Sequence, residues 1–119
     1  MNKNKILIIG NGSIANRHYK NIIELNYSVE KIPHREFIKK KSDLIQNYSS
    51  VIICTASDIR INIIKTCYLY NVPFFCEKPL TTSLNELKII SQFDKKFLSK
   101  CFVGFMMRYH PVVKELKKI

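Results

Sequence analysis

The first feature with chemical potential is a glycine-rich turn near the start of this 119-residue sequence. It reads Gly10-Asn11-Gly12-Ser13-Ile14-Ala15. Gly10 permits a tight turn, Gly12 lets the main chain approach a pyrophosphate, and Ala15 is small enough for close packing of a helix on a strand. A helix that begins here directs amide donors and partial positive charge at phosphates. The turn therefore predicts a dinucleotide site, and the alternative is a purely structural strand-to-helix connection.

The second feature is the tripeptide Glu77-Lys78-Pro79, which follows an apolar run. A lysine at the end of a strand can donate or accept a proton during hydride transfer to or from a carbonyl or alcohol. Glu77 can position that lysine or tune its pKa, and Pro79 fixes the path of the chain as it leaves the strand. Taken alone, the tripeptide is more typical of an ordinary strand end than of a catalytic site.

A third position is the one that reads the adenosine ribose, at the end of the second strand of a dinucleotide-binding fold. Counting from the glycines places it at or near His34 and Arg35, and Glu30 comes too early. A basic pair there favours the 2′-phosphate of NADP over the ribose of NAD. The alternative is a pair of solvent-exposed loop residues with no ligand.

These residues need a scaffold, and the hydrophobic pattern supplies one. Five short runs are almost continuously apolar, as in parallel strands covered on both faces. They span residues 5–9, 29–32, 51–54, 72–76 and 101–105. Helical spacing of apolar residues lies between them, and Ser83 and Glu86 form a capping-box pattern. The alternation predicts an α/β fold with a doubly wound parallel sheet, a Rossmann NAD(P)-binding fold, in one domain over residues 1–119.

The segment between Arg35 and Ser49 is the weakest part of the pattern, and it predicts no more than a helical turn at residues 43–46. His18 falls on the apolar side of the first helix, which favours a packed residue over a ligand.

Composition narrows the class of protein. The net charge is +11, but the lysines are scattered, and the densest run, residues 39–41, has no interleaved aromatic residues, so we expect no nucleic-acid partner. The four cysteines form no C-x-x-C pair and have no metal-ligand spacing, which predicts reduced, buried thiols and no metal site. No apolar run is long enough to span a membrane or to form a signal peptide, so we expect a cytoplasmic protein.

Taken together, four motifs resemble those of the Gfo/Idh/MocA oxidoreductases in order and spacing. They are residues 10–15 with Arg17-His18, Cys54-Thr55-Ala56-Ser57, Glu77-Lys78-Pro79, and Gly104-Phe105 followed by Arg108-Tyr109-His110-Pro111. The resemblance implies that Lys78 is the catalytic lysine and Glu77 its neighbour in the cofactor pocket. It also implies that Arg108 lies near the nicotinamide. The resemblance further implies that Thr55, Ala56 and Ser57 line the pocket at the sheet edge.

The resemblance further implies an NAD- or NADP-dependent oxidoreductase that acts on a sugar, a polyol or a sugar nucleotide. A homo-oligomer is possible. Two positions depart from the family, which usually has Pro at Ala56 and His at Arg60. Members also carry a C-terminal α/β domain that supplies the substrate pocket, and we expect that domain to be absent from residues 1–119. We therefore expect the isolated chain to bind cofactor without turning over a sugar. The alternative is a non-catalytic nucleotide-binding or redox-sensing module.

Overall fold

The chain folds into a layered α/β structure in a computed structural model that describes residues 5–39 and 42–104. Five strands are present in these ranges: β1 (Lys5–Ile9), β2 (Ser28–Ile32), β3 (Ser50–Ile53), β4 (Phe74–Glu77) and β5 (Phe102–Gly104). The α-helices are α1 (Ser13–Glu24), α2 (His34–Lys39), α3 (Arg60–Leu69), α4 (Leu84–Ser91) and α5 (Lys95–Leu98). Two 3-10 helices span Ser42–Asn47 and Ser57–Ile59.

The strands form one parallel sheet in the order β2-β1-β3-β4-β5. The chain moves outward from β1 to β2 and then returns past β1 to β3, so its direction across the sheet reverses between β1 and β3. Parallel strands align their carboxyl ends along one edge, and ligands of such sheets bind at that edge near the point of reversal. The predicted doubly wound parallel sheet is confirmed.

The core has two unequal parts, because successive residues of a strand face opposite sides of the sheet. The larger part is built around Leu7, Ile9, Val51 and Ile53, all fully buried. The smaller lies under α1, where Ile8 packs with Ala15 and Ile22. Both faces of β1 and β3 carry buried or half-buried apolar side chains, which explains why these strands have no polar alternation in the sequence.

Element bounds agree with the pattern best where the run is most apolar. The strand predicted over residues 5–9 has those bounds, whereas the one predicted from residue 72 begins at Phe74, because Val72 and Pro73 belong to the approach to the strand. The helical turn predicted at residues 43–46 lies within the 3-10 helix Ser42–Asn47. Helices α2 and α5 were not predicted, since six and four residues are too few to show a clear period.

The capping-box prediction at α4 is confirmed in part. The Ser83 hydroxyl accepts a hydrogen bond from the Glu86 amide at 3.2 Å. The second bond of a capping box, from the Ser83 amide to the Glu86 side chain, is replaced by an indirect contact. The Ser83 amide donates to Thr81 Oγ1 at 3.1 Å, and the Thr81 hydroxyl donates to the Glu86 carboxylate. In residues 5–39 and 42–104, no helix is long and apolar enough to cross a membrane.

Candidate dinucleotide-binding site

The glycine turn connects β1 to α1 at the carboxyl edge of the sheet. Gly10 has φ +138°, a conformation that residues with a side chain rarely adopt. A Cβ at this position would lie 2.8 Å from the Cys54 carbonyl oxygen at the end of β3. The Gly10 amide donates to the Ile32 carbonyl at 2.7 Å, at the end of β2. Gly10 therefore brings the ends of three adjacent strands together, and only glycine fits there.

Gly12 is the N-cap of α1, and its surroundings are open. No atom of residues 5–39 and 42–104 lies within 4 Å of where its Cβ would be, and its own φ of −84° needs no glycine. In the part of the chain that the structure describes, no side chain caps the first amides of α1, and no acid lies in its first turn. Helix α3 also begins without a side-chain cap, whereas α4 and α5 are capped by Ser83 and Asp94. The start of α1 thus has uncompensated amide donors beside an open surface, which fits a pyrophosphate.

The remaining residues of the turn divide between packing and exposure. Ala15 is fully buried against Ile8, where a larger side chain would push α1 away from the sheet. Asn11 and Ser13 are exposed, and Ile14 is 37% exposed. The apolar Ile14 side chain thus stays partly uncovered at the start of α1.

The end of β2 carries the predicted ribose position. His34 is the first residue of α2 and is half-buried, and Arg35 beside it is exposed. Glu30 lies two residues before the end of the strand and forms an ion pair with Lys5 at 2.9 Å. Glu36, an acid in the first turn of α2, was not among the residues predicted for the ribose position. Acidic and basic side chains therefore both lie just beyond β2.

The tripeptide Glu77-Lys78-Pro79 begins at the last residue of β4. The Glu77 carboxylate lies 3.2 Å from Nε2 of His18, which is 8% exposed on α1 and packs edge-on against Phe75. His18 is thus a packed helix residue, as predicted, and it also links α1 to the neighbour of Lys78. The Lys78 side chain is exposed, and its amide donates to the Gly104 carbonyl at 2.6 Å. The peptide bond between Lys78 and Pro79 is cis.

Arg60 joins this tripeptide to the loop after β3. It is 7% exposed, and its Nε donates to the Thr55 carbonyl at 3.0 Å. Its Nη1 donates to the Glu77 carbonyl at 2.7 Å and also to the Pro79 carbonyl. In the sequence, Arg60 stands out only as a departure from a family pattern. Its apolar neighbours Ile61, Ile63 and Ile64 were the available clue, because they place the start of α3 in the core.

The loop after β3 contains the other three predicted pocket residues. Thr55 and Ser57 are half-buried, and Ala56 is exposed. Ala56 has φ −61°, the value that a proline would impose. The departure from proline at this position therefore leaves the path of the main chain compatible with one.

Two cysteine thiols lie among these strand ends. Burial raises the pKa of the Cys54 thiol to about 12, the Glu77 carboxylate adds to the rise, and the Arg60 guanidinium opposes it. Burial likewise raises the pKa of the Cys76 thiol to about 11. Both thiols stay protonated at neutral pH and are therefore poor nucleophiles. All four cysteines are free, as predicted, but only Cys67 and Cys76 are fully buried.

The described residues thus bring the predicted positions to one edge of the sheet. The glycine turn touches the ends of β2 and β3, and Arg60 connects the end of β3 with that of β4. Arg108, the predicted nicotinamide-side residue, lies outside the described residues. No group of three metal-ligating side chains occurs in residues 5–39 and 42–104.

Comparisons with known proteins identify the family and the fold. A family described as an oxidoreductase family with an NAD-binding Rossmann fold matches residues 26–105. Myo-inositol 2-dehydrogenase of Thermotoga maritima is 24% identical over an alignment of 132 positions. The alignment covers 96% of this chain and 40% of that protein. The chain therefore spans about two fifths of the length of this relative.

Two solved structures share the fold at lower identity. Scyllo-inositol dehydrogenase from Lactobacillus casei, with bound NAD(H) and scyllo-inositol, superposes with a TM-score of 0.71 at 20% identity. The match covers 98% of this chain and 40% of that one. UDP-N-acetylglucosamine 3-dehydrogenase from Acidithiobacillus ferrooxidans gives a TM-score of 0.73 at 16% identity, over 99% and 42% of the two chains. With a family match over two thirds of its residues, the chain belongs to the Gfo/Idh/MocA oxidoreductase family, in its NAD-binding Rossmann fold.

Proposed function

We propose that this chain binds NAD(P) across its glycine turn and serves as the cofactor-binding part of an oxidoreductase. The observation that carries the proposal is the open start of α1. Among the described residues, Gly12 has no neighbour within 4 Å of its Cβ position, and none of their side chains caps the amides that follow. An anion is the natural partner of such a helix end. Gly10 supplies the independent reason, because its contact with Cys54 fixes the turn that aims these amides.

The proposed substrate is a sugar, a polyol or a sugar nucleotide. Relatives that share the fold include dehydrogenases of inositol and of a UDP-sugar. The cofactor would supply the acceptor or donor of the hydride. Lys78, whose exposed side chain follows β4, would take the hydroxyl proton of an alcohol or return it to a carbonyl. The Glu77 carboxylate, held by His18, would lie beside it in the cofactor pocket.

The proposed dinucleotide site is tested by replacing Gly12 with valine. The valine side chain has space in the free protein, so the fold is retained, but it would occupy the surface that the pyrophosphate needs. Calorimetric titration with NAD and NADP is expected to show binding to the unaltered chain and none to Gly12→Val. Equal affinity in the two proteins would place the dinucleotide elsewhere. Circular dichroism spectra of both proteins serve as the folding control.

The preference between the two dinucleotides is a further part of the proposal. We propose that NADP binds at least as well as NAD, because Arg35 is exposed at the end of β2 and Glu30 is engaged with Lys5. A charge-assisted contact with the 2′-phosphate contributes about 1.5–3 kcal/mol. Arg35→Asp is then expected to shift the preference toward NAD in the same titrations. A clear preference of the unaltered chain for NAD would contradict the proposal and would favour Glu36 as the ribose-binding residue.

A further inference from the structure

Arg60 is a buried cation whose hydrogen bonds, as far as the structure describes them, go to main-chain carbonyls. Its three acceptors are the carbonyl oxygens of Thr55, Glu77 and Pro79. A guanidinium group that is 7% exposed is costly to bury unless its donors are satisfied. Such charge-assisted hydrogen bonds are about twice as strong as neutral ones. An apolar side chain at the start of α3 would avoid the cost of burying a charge, but it could not bind the three carbonyls.

The positions of two of the three carbonyl acceptors indicate which residue Arg60 supports. Glu77 and Pro79 flank Lys78, so one nitrogen of Arg60 holds the chain on both sides of that residue. The Lys78 amide is held separately by the Gly104 carbonyl at 2.6 Å. The main chain of Lys78 is thus fixed at three points, while its side chain is exposed at the carboxyl edge. Precise placement of a reacting group requires this kind of support from the residues around it.

Arg60 also relates this segment to a second loop. Its Nε binds the Thr55 carbonyl in the loop after β3, next to the strand end that Gly10 touches. A histidine side chain has two ring nitrogens and could not make all three of these bonds, whereas a guanidinium group has five N–H donors in a planar fork. The arginine is therefore suited to set the distance between the two loops.

We propose that Arg60 is a positioning residue for the nicotinamide end of the site. It acts through the carbonyls of Thr55, Glu77 and Pro79, and it places Lys78 relative to a dinucleotide bound on the glycine turn. It does not touch the adenosine or the pyrophosphate, which the glycine turn and the end of β2 would hold. The inference rests on the proposed function, since it assumes that a dinucleotide binds in this orientation.

The test compares two ligands that share one end. NAD and ADP have the adenosine and the pyrophosphate in common, and only NAD carries the nicotinamide riboside. In Arg60→Met, the affinity for NAD is expected to fall about tenfold, as for the loss of one charge-assisted hydrogen bond, while the affinity for ADP changes less than about twofold. Lys65→Met removes an exposed cation from the same helix and is expected to leave both affinities unchanged.

The possible outcomes separate the inference from the proposed function. If the unaltered chain binds neither NAD nor ADP, the proposed function is wrong. If it binds both and Arg60→Met weakens them equally, or weakens neither, only the role of Arg60 is wrong. Should Arg60→Met not fold, Arg60→Lys carries the test with a smaller selective loss of about threefold, because the ammonium group keeps the charge and three donors. Failure of both variants to fold would assign Arg60 to the fold and would overturn the inference.

Discussion

The glycine turn (residues 10–15) and the turn at Lys78 (residues 77–79) lie at the same edge of the sheet, but different kinds of contact hold them. Main-chain atoms hold the glycine turn: the Gly10 amide binds the Ile32 carbonyl, and Gly10 lies so close to Cys54 that a Cβ would be 2.8 Å from the Cys54 carbonyl oxygen. The turn at Lys78 has one main-chain bond, from the Lys78 amide to the Gly104 carbonyl, and two distant side chains also hold it. Arg60 reaches it from 17 residues away and His18 from 59 residues away in the sequence.

This difference determines which substitutions each turn tolerates. The glycine turn depends on the absence of a side chain at one residue, and its other positions are exposed or only packed. The turn at Lys78 depends on side chains supplied by α1 and α3, so a change in either helix reaches the catalytic candidates without altering them. Main-chain contacts thus shape the glycine turn, which is suited to bind an anion, whereas side chains from two helices help to shape the turn that carries Lys78.

The sharpest test of the first turn replaces each of its glycines with alanine. Gly10→Ala would force a positive φ on alanine and would bring its Cβ within 2.8 Å of the Cys54 carbonyl oxygen. We expect a loss of roughly 3 kcal/mol in the free energy of unfolding. Gly12→Ala is the matched control: no described atom lies within 4 Å of its Cβ position, and we expect a loss of at most about 1 kcal/mol, because alanine is a poorer N-cap than glycine. Urea denaturation followed by circular dichroism measures both changes.

Similar losses in the two variants would contradict the comparison. They would mean that the turn as a whole, and not the contact between Gly10 and Cys54, limits its tolerance. A small loss in Gly10→Ala alone would show that β3 can move away from the turn at little cost.

The same contrast explains what the sequence could predict. The glycine turn was predicted together with its strand and helix, because its sequence pattern lies within a few neighbouring residues. The pattern is a continuous apolar run, two glycines and a small residue one helical turn later. The fold followed from the alternation of apolar runs with helical spacing, and the strand at residues 5–9 has the predicted bounds.

The tertiary contacts of the second turn were beyond the reach of the sequence. Nothing in the spacing of Arg60 and Pro79 indicates that a guanidinium group spans two loops, because that contact depends on how α3 packs on the sheet. The contact between His18 and Glu77 depends in the same way on how α1 packs on the sheet. Helix α2 was missed for a simpler reason, since its six residues are too few to show a clear period.

Cys54 lies where the two turns meet, and its thiol provides the smallest of the expected effects. Its carbonyl is the atom that approaches Gly10, while its thiol is under the influence of Glu77 and Arg60. Burial raises the pKa of this thiol from an ordinary value of 9.0 to about 12. Between these values the unfolded chain loses the proton and the folded chain keeps it. The folded state therefore binds more protons, and stability falls as the pH rises above 9.

The contribution of Cys54 is isolated by comparing the unaltered chain with Cys54→Ala. Other groups with raised pKa values, such as Cys76, are the same in both proteins and cancel in the difference. One thiol proton changes the free energy of unfolding by at most about 1.4 kcal/mol per pH unit, and partial exposure of Cys54 reduces this to about 1. Urea unfolding at pH 8, 9 and 10 with a reductant present is therefore expected to show a shallower decline for Cys54→Ala above pH 9. Parallel declines would mean that the thiol ionises as readily in the folded chain as in the unfolded one, and that the junction between the two turns is open to water.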